Sequence, residues 1–335
     1  MVSTHTFTVF KGDETGKIHR ATTTRKLNPD EVLVKITYSG LCGTDCHYRP
    51  SGCVLGHEGI GVVEELGENA HRFKKGDVVG WGYIHKTCGI CLNCLKGQEV
   101  YCVAREFFGT HDLDQGSMGT HAIWREAYLF AIPKEIEPAK AAPLMCAGAT
   151  VFAPLYENNV NATHTVGIVG IGGLGHLAIQ FAAKMGCRVV VFSSSEDKRA
   201  EALQLGASEF YSTKGKTKLE VAHKIDYLLV ATSYLPSWEL YLDVMNALGS
   251  VFPLTIDPVG LMQIPYPPFL TNGLKIVGTI IASRGVHTIM LEFAARHKVQ
   301  AMIEVFPMNE EGITEAFAKL DAGKLRYRAV LQNQM

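Results

Sequence analysis

The chain has 335 residues, close to half of them apolar, which is enough for two domains with sizeable cores. Its formal net charge of −1 gives no electrostatic reason to expect nucleic acid or an anionic membrane as a partner. The start, MVSTHTFTVFKGDETGK, lacks the basic residues and apolar run of an export signal, so a cytoplasmic protein is expected.

The first 150 residues read as strands broken by Gly and Asp: EVLVKITYSG (31–40), IGVVEEL (60–66), DVVGWGY (77–83) and HAIWREAYLFAIP (121–133). The character then changes. A short apolar run at 165–169 leads into a glycine cluster and a helical pattern to Met185, with Gly186 as its cap. The stretch 166–183 is weakly polar, but its five glycines and one histidine argue against a membrane span. CRVVVF (187–192) is the next strand, followed by a helix over EDKRAEALQLG and a strand over EFYST. A further helix is expected before DYLLVAT (226–232), and another near 237–247. GSVFPL (249–254) and LKIVGTII (274–281) read as strands. Strands alternating with helices give an α/β class with a doubly wound parallel sheet. Helices over 287–297 and 309–322 and a last strand, RYRAVLQ, end the chain.

The cysteines stand at 42, 46, 53, 88, 91, 94, 102, 146 and 187. In a reducing compartment such a set indicates metal, and the odd total argues against full disulfide pairing. Cys88, Cys91, Cys94 and Cys102 read C-x2-C-x2-C-x7-C. Four thiolates close a tetrahedral zinc shell with no open position, which makes a structural lobe over about 85–103. Two disulfides or free thiols are the rival reading.

Gly170, Gly172 and Gly175 fit G-x-G-x-x-G, with Gly173 and Leu174 inside the turn. The match follows an expected strand and opens an expected helix, the context a dinucleotide pyrophosphate needs. After the second strand the chain reads FSSSEDKR. Hydroxyls of Ser193, Ser194 and Ser195 and the cation Lys198 suit the 2′-phosphate of NADP(H). Glu196 or Asp197 turned inward would favour NAD(H) instead.

Cys42 in GLCGTDCH, His57 in LGHEG and Cys146 in PLMCAGAT are ordinary residues one by one. Together they make a two-Cys, one-His set, and three ligands with an open position define a catalytic zinc. Cys46, Cys53 and Cys187 read as unliganded thiols.

These motifs, with GHEGIGVVEELG, APLMCAGATVFAPL, GIVGIGGLGHLAIQFA and LRYRAVL, resemble the zinc-dependent medium-chain dehydrogenases, especially the cinnamyl alcohol dehydrogenase-like subgroup. The resemblance covers essentially the whole chain. It implies a GroES-like catalytic domain over 1–149 and 284–335 with a Rossmann domain at 150–283. Carried over by position, Thr44 takes the alcohol proton, His47 relays it to solvent, Glu58 neighbours the metal and Asp45 orients His57. His47 as a surface residue and Asp45 as a turn cap are the plain alternatives. Thr150 and Arg326 fall where the family contacts nicotinamide and phosphates, with Arg328 as the alternative to Arg326. Trp81, Tyr83, Phe107 and Ile280 fall on the substrate pocket, or equally in the core. Only fourteen residues separate Cys42 from His57, fewer than in most relatives, so the pocket is expected to be wider there.

The activity implied is hydride transfer between NADPH and the carbonyl of an aromatic or conjugated aldehyde polarised at zinc. One rival reading is reduction of a conjugated C=C or iminium bond; another is a catalytically silent nucleotide-binding protein. The expected cofactors are two zinc ions per chain and NADP(H). The expected partners are a small alcohol or aldehyde and further copies of the chain, as a homodimer or homotetramer through the sheet edge near 274–281, with neither nucleic acid nor membrane.

Overall fold

The computed structural model describes residues 3–257 and 260–334. The chain forms two compact units, Met1–Ala149 with Ala282–Met335, and Thr150–Ile281. No helix among the described residues is long and apolar enough to cross a membrane.

The first unit is built on Glu31–Leu41, in which Val32, Val34 and Ile36 are buried. This strand pairs antiparallel with Gly59–Leu66, with His121–Arg125 and with the tail strand Arg328–Gln332. The sheet runs Ile303–Pro307, Arg328–Gln332, Glu31–Leu41, Gly59–Leu66, Val78–Trp81, Phe130–Ala131. Two pairings position the site. Ser39 lies opposite Gly59, so residues 42 and 57 emerge at the same end. Ala329 lies opposite Leu41, which brings Arg328 to that end as well. A hairpin of Thr4–Gly12 and Ile18–Lys26, not anticipated from sequence, packs Phe7 and Val9 with Leu33, Val54 and Ile123.

The second unit is a six-stranded parallel sheet. Its order is Glu209–Ser212, Arg188–Ser193, Thr165–Val169, Ile225–Val230, Met245–Pro253, Lys275–Ile276. Helices such as Gly175–Lys184 cross between strands, and the order reverses beside Thr165–Val169, where dinucleotides bind in such sheets.

Three expected elements differ. Residues 213–224 form turns instead of a helix: Gly215 has φ +70°, and Leu219 is drawn into the core beside Trp238 and Tyr241. The helix near 237–247 is a single turn, Glu239–Leu242, because Met245 already pairs with Ile225 in the sheet. LKIVGTII contributes only Lys275–Ile276 as a strand, on the sheet edge with one neighbour.

Gly175 shows how closely helix and strand approach. A Cβ there would collide with the Gly170 carbonyl oxygen. Gly175→Ala should therefore overpack this turn and cost about 1–3 kcal/mol, read as a lower urea midpoint by circular dichroism. An unchanged midpoint would show that the turn can yield.

Candidate active site and cofactor loop

Cys42 follows the central strand and caps the helix Gly43–Tyr48. Asp45, one turn on, reaches back so that its Oδ2 accepts from the Cys42 N–H at 2.9 Å. Its Oδ1 accepts from the Gly56 N–H at 3.1 Å and faces His57 Nδ1 at 3.2 Å. Asp45 and His57 have no accessible surface. With Nδ1–H donating to the carboxylate, the tautomer is fixed and the Nε2 lone pair is left for a metal. That Nε2 is buried without a hydrogen-bond partner.

Cys146 follows the turn Ala142–Met145. The donor atoms of Cys42, His57, Glu58 and Cys146 all lie within 4.8 Å of one another. The neighbouring Cys146 thiol holds Cys42 well below the ordinary thiol range and is itself raised well above it. Thr44 Oγ1 is buried, 3.7 Å from Cys42 Sγ, while His47 is exposed on the same helix. Two soft sulfur donors and an imidazole whose Nε2 is buried without a partner, converging on one point, fit zinc.

Glu58 and its partner complete the cluster. Arg328 donates to Glu58 Oε2, and both are buried. Burial raises the Glu58 carboxyl to about 8, against the opposing pull of Arg328. Gly40 makes room, since a Cβ there would strike the Glu58 carboxylate. Engaged in this way, Arg328 is inside the unit, whereas Arg326 is exposed. Sequence reasoning did not find the roles of Gly40 and Arg328. They come from sheet neighbours 18 and 270 residues away from Glu58 in the chain, and no local pattern marks them.

In the lobe, Sγ–Sγ separations are 3.5 Å for Cys91–Cys94, 3.5 Å for Cys102–Cys88 and 3.9 Å for Cys88–Cys94. A zinc tetrahedron with bonds of about 2.3 Å has edges of about 3.8 Å. Backbone N–H groups of Ile90 and Cys91 draw Cys88 down to about 6, as a thiolate ligand requires. All nine cysteines are free of disulfides.

In the second unit, Gly170 has φ +92°, and a Cβ on Gly172 would enter open space. This is the bare backbone a phosphate needs. Lys198 Nζ donates to the Ile171 carbonyl at 2.7 Å, so the cation lies against the loop. Ser193 is buried and Ser194 exposed; the Ser195 N–H donates to Ser193 Oγ at 3.2 Å. Glu196 pairs with Arg199 in its own turn, and Asp197 accepts from Ser195 Oγ at 3.5 Å. Thr150 is half-buried in the helix Ala147–Glu157.

The expected pocket residues separate. Tyr83 and Phe107 are half-buried and packed together, ring centroids 5.2 Å apart, and Tyr83 stands edge-on to His57. Trp81 does not line a pocket. It has no accessible surface, lies on Gly59 and packs 5.5 Å from Trp124, so it is a core residue. Ile280 is exposed in the second unit.

Residues 28–134 match the family model of the alcohol dehydrogenase GroES-like domain, and 173–296 that of the zinc-binding dehydrogenases. The chain is 32% identical to an aldehyde reductase of Synechocystis sp., over 92% of each chain. It belongs to the zinc-dependent medium-chain alcohol dehydrogenases. Another member, an NADP-dependent alcohol dehydrogenase C of Mycolicibacterium smegmatis, is 33% identical over 92% of each chain. A cinnamyl alcohol dehydrogenase of Sorghum bicolor superposes with a TM-score of 0.90 at 29% identity, each chain covered to 98%. The chain is thus an oxidoreductase of the cinnamyl alcohol dehydrogenase-like group.

In this dehydrogenase, Asp45→Ala should weaken metal binding at Cys42, His57 and Cys146 by about ten- to a hundred-fold. Elemental analysis after dialysis against a mild chelator should find the metal content roughly halved relative to the unsubstituted protein, with the lobe still loaded. Undiminished content would show that the carboxylate does not orient His57.

Proposed function

We propose that this dehydrogenase uses NADP(H) to interconvert aromatic or conjugated aldehydes and their alcohols in the cytoplasm. The buried Cys42–His57–Cys146 cluster, with Asp45 behind the imidazole, carries the reading. Zinc held there supplies a Lewis acid with an open position, and the nicotinamide supplies or accepts the hydride. The chain's own residues do the rest. Asp45 keeps His57 in one tautomer and one orientation. Thr44, buried beside Cys42, holds the proton exchanged with the product oxygen. His47, exposed one turn along, passes that proton to solvent. Glu58, restrained by Arg328, lends a carboxylate next to the ligands.

For the cofactor, Gly170, Gly172, Gly173, Leu174 and Gly175 take the pyrophosphate against their backbone N–H groups, with Thr150 and Arg326 toward the nicotinamide and the phosphates. Ser193, Ser194, Ser195 and Lys198 take the 2′-phosphate. Two observations support NADP(H) over NAD(H): Lys198 is fixed at the loop, and Glu196 is bound to Arg199. The NADP dependence in the name of the mycobacterial relative points the same way. Exposed Tyr266, Leu270 and Ile276 around the edge strand support association of copies as a dimer or tetramer.

The test is oxidation of NADPH and NADH with cinnamaldehyde, the product identified by mass spectrometry. Rapid NADPH-dependent formation of the unsaturated alcohol is expected. A saturated aldehyde would move the chemistry to the C=C bond. Lys198→Ala should raise the KM for NADPH by about ten- to a hundred-fold, the worth of a charge-assisted hydrogen bond, and leave that for NADH little changed. Equal effects on both cofactors would remove Lys198 from 2′-phosphate recognition.

A further inference from the structure

The glycine loop of the second unit is held by a side chain that none of these steps uses. Among the described residues, none accepts a hydrogen bond from the backbone N–H of Ile171, Gly172, Gly173 or Leu174. The carbonyls of the same turn are engaged. That of Gly170 lies against Gly175, the Ile171 oxygen accepts from Lys198 Nζ at 2.7 Å, and the Gly172 oxygen accepts twice from His176. One donor is the His176 backbone N–H at 3.2 Å; the other is its ring Nδ1 at 2.8 Å. A carbonyl only accepts, so Nδ1 carries the proton. A turn with engaged carbonyls and unengaged N–H groups presents a positive face, which suits an anion.

His176 has no accessible surface and lies in the first turn of the helix Gly175–Lys184. Its effect on the loop follows from peptide geometry. In a trans peptide the carbonyl of Gly172 and the N–H of Gly173 point to opposite sides of one rigid plane. Glycines on both sides of that plane leave it free to turn over. Turned over, it would present an oxygen where the loop offers N–H groups. The imidazole opposes that, because a flip would leave its buried N–H without an acceptor.

We infer that His176 is a positioning residue for the dinucleotide. Its ring fixes the Gly172–Gly173 peptide and so keeps the Gly173 N–H on the phosphate-binding face of the turn. The inference rests on the cofactor placement proposed above.

The experiment measures binding of NADPH and of adenosine 2′-monophosphate, which has no pyrophosphate, by isothermal titration calorimetry. The proteins are the unsubstituted enzyme, His176→Leu and His176→Asn; the Asn amide nitrogen stands where Nδ1 does. His176→Leu should weaken NADPH about five- to a hundred-fold and leave adenosine 2′-monophosphate unchanged. His176→Asn should restore most of the loss. Undiminished NADPH affinity in His176→Leu overturns the inference. So does equal weakening of both ligands, the mark of a general packing defect, or an Asn variant no better than Leu. Should His176→Leu fail to fold, His176→Gln replaces it, since its nitrogen stands one bond too far out. Loss of NADPH affinity in Gln but not in Asn supports the inference, and equal binding by the two overturns it. An unsubstituted enzyme that binds NADPH but not adenosine 2′-monophosphate removes the 2′-phosphate assignment alone, and the Asn–Gln comparison on NADPH then decides. One that binds no NADPH overturns both.

Discussion

A carboxylate with no accessible surface must find its donors inside the protein, and Asp45 finds them in two separate segments. One oxygen takes the Cys42 N–H; the other takes the Gly56 N–H and faces His57 Nδ1. The antiparallel pairing of Glu31–Leu41 with Gly59–Leu66 brings residues 42 and 57 to one end of the sheet. Sheet pairing alone sets only the backbone. The carboxylate sets the side chains, because an imidazole that donates from Nδ1 presents Nε2 in one direction only. Buried at both partners, this contact is little screened by solvent, so a small change at position 45 acts directly on the metal ligand.

The tail of the chain supplies the second constraint. Arg328–Gln332 enters the sheet next to Glu31–Leu41, and its first residue places a guanidinium against Glu58. Leaving one member of a buried charged pair alone costs about 3–5 kcal/mol, so Arg328 and Glu58 have to be present together. Gly40 belongs to the same arrangement, since a side chain there would occupy the space of the carboxylate. The site is thus assembled from residues 40, 58 and 328 as much as from its ligands.

Such dependence explains what the sequence made legible. The four lobe cysteines span fifteen positions, and the glycine loop spans six, so spacing alone carries their chemistry. Cys42, His57 and Cys146 are far apart, and only their motifs in combination marked them. Arg328 was weighed as a phosphate ligand; its burial against Glu58 depends on a strand pairing that no local pattern encodes. Trp81, left open between pocket and core, falls in the core for a related reason. An aromatic residue in a strand reads the same whether it faces a ligand or another tryptophan, and here it faces Trp124. The apolar run at 274–281 marked an exposed edge, where Ile276 and Ile280 keep accessible surface, instead of a long buried strand.

The two cysteine clusters differ in where their polar partners come from. In the lobe the thiolates are served by backbone N–H groups of their own loop: Cys91 N–H lies 3.3 Å from Cys88 Sγ, Cys88 N–H 3.4 Å from Cys102 Sγ and Ala104 N–H 3.4 Å from Cys102 Sγ. Four ligands then close the shell, and the lobe gains stability from a loop it defines itself. At the Cys42–His57–Cys146 cluster the polar partners are side chains from other segments, Asp45 behind His57 and Arg328 behind Glu58. The imidazole and the carboxylate of that cluster are thus oriented by the fold around it. The lobe, by contrast, finds its partners within its own loop.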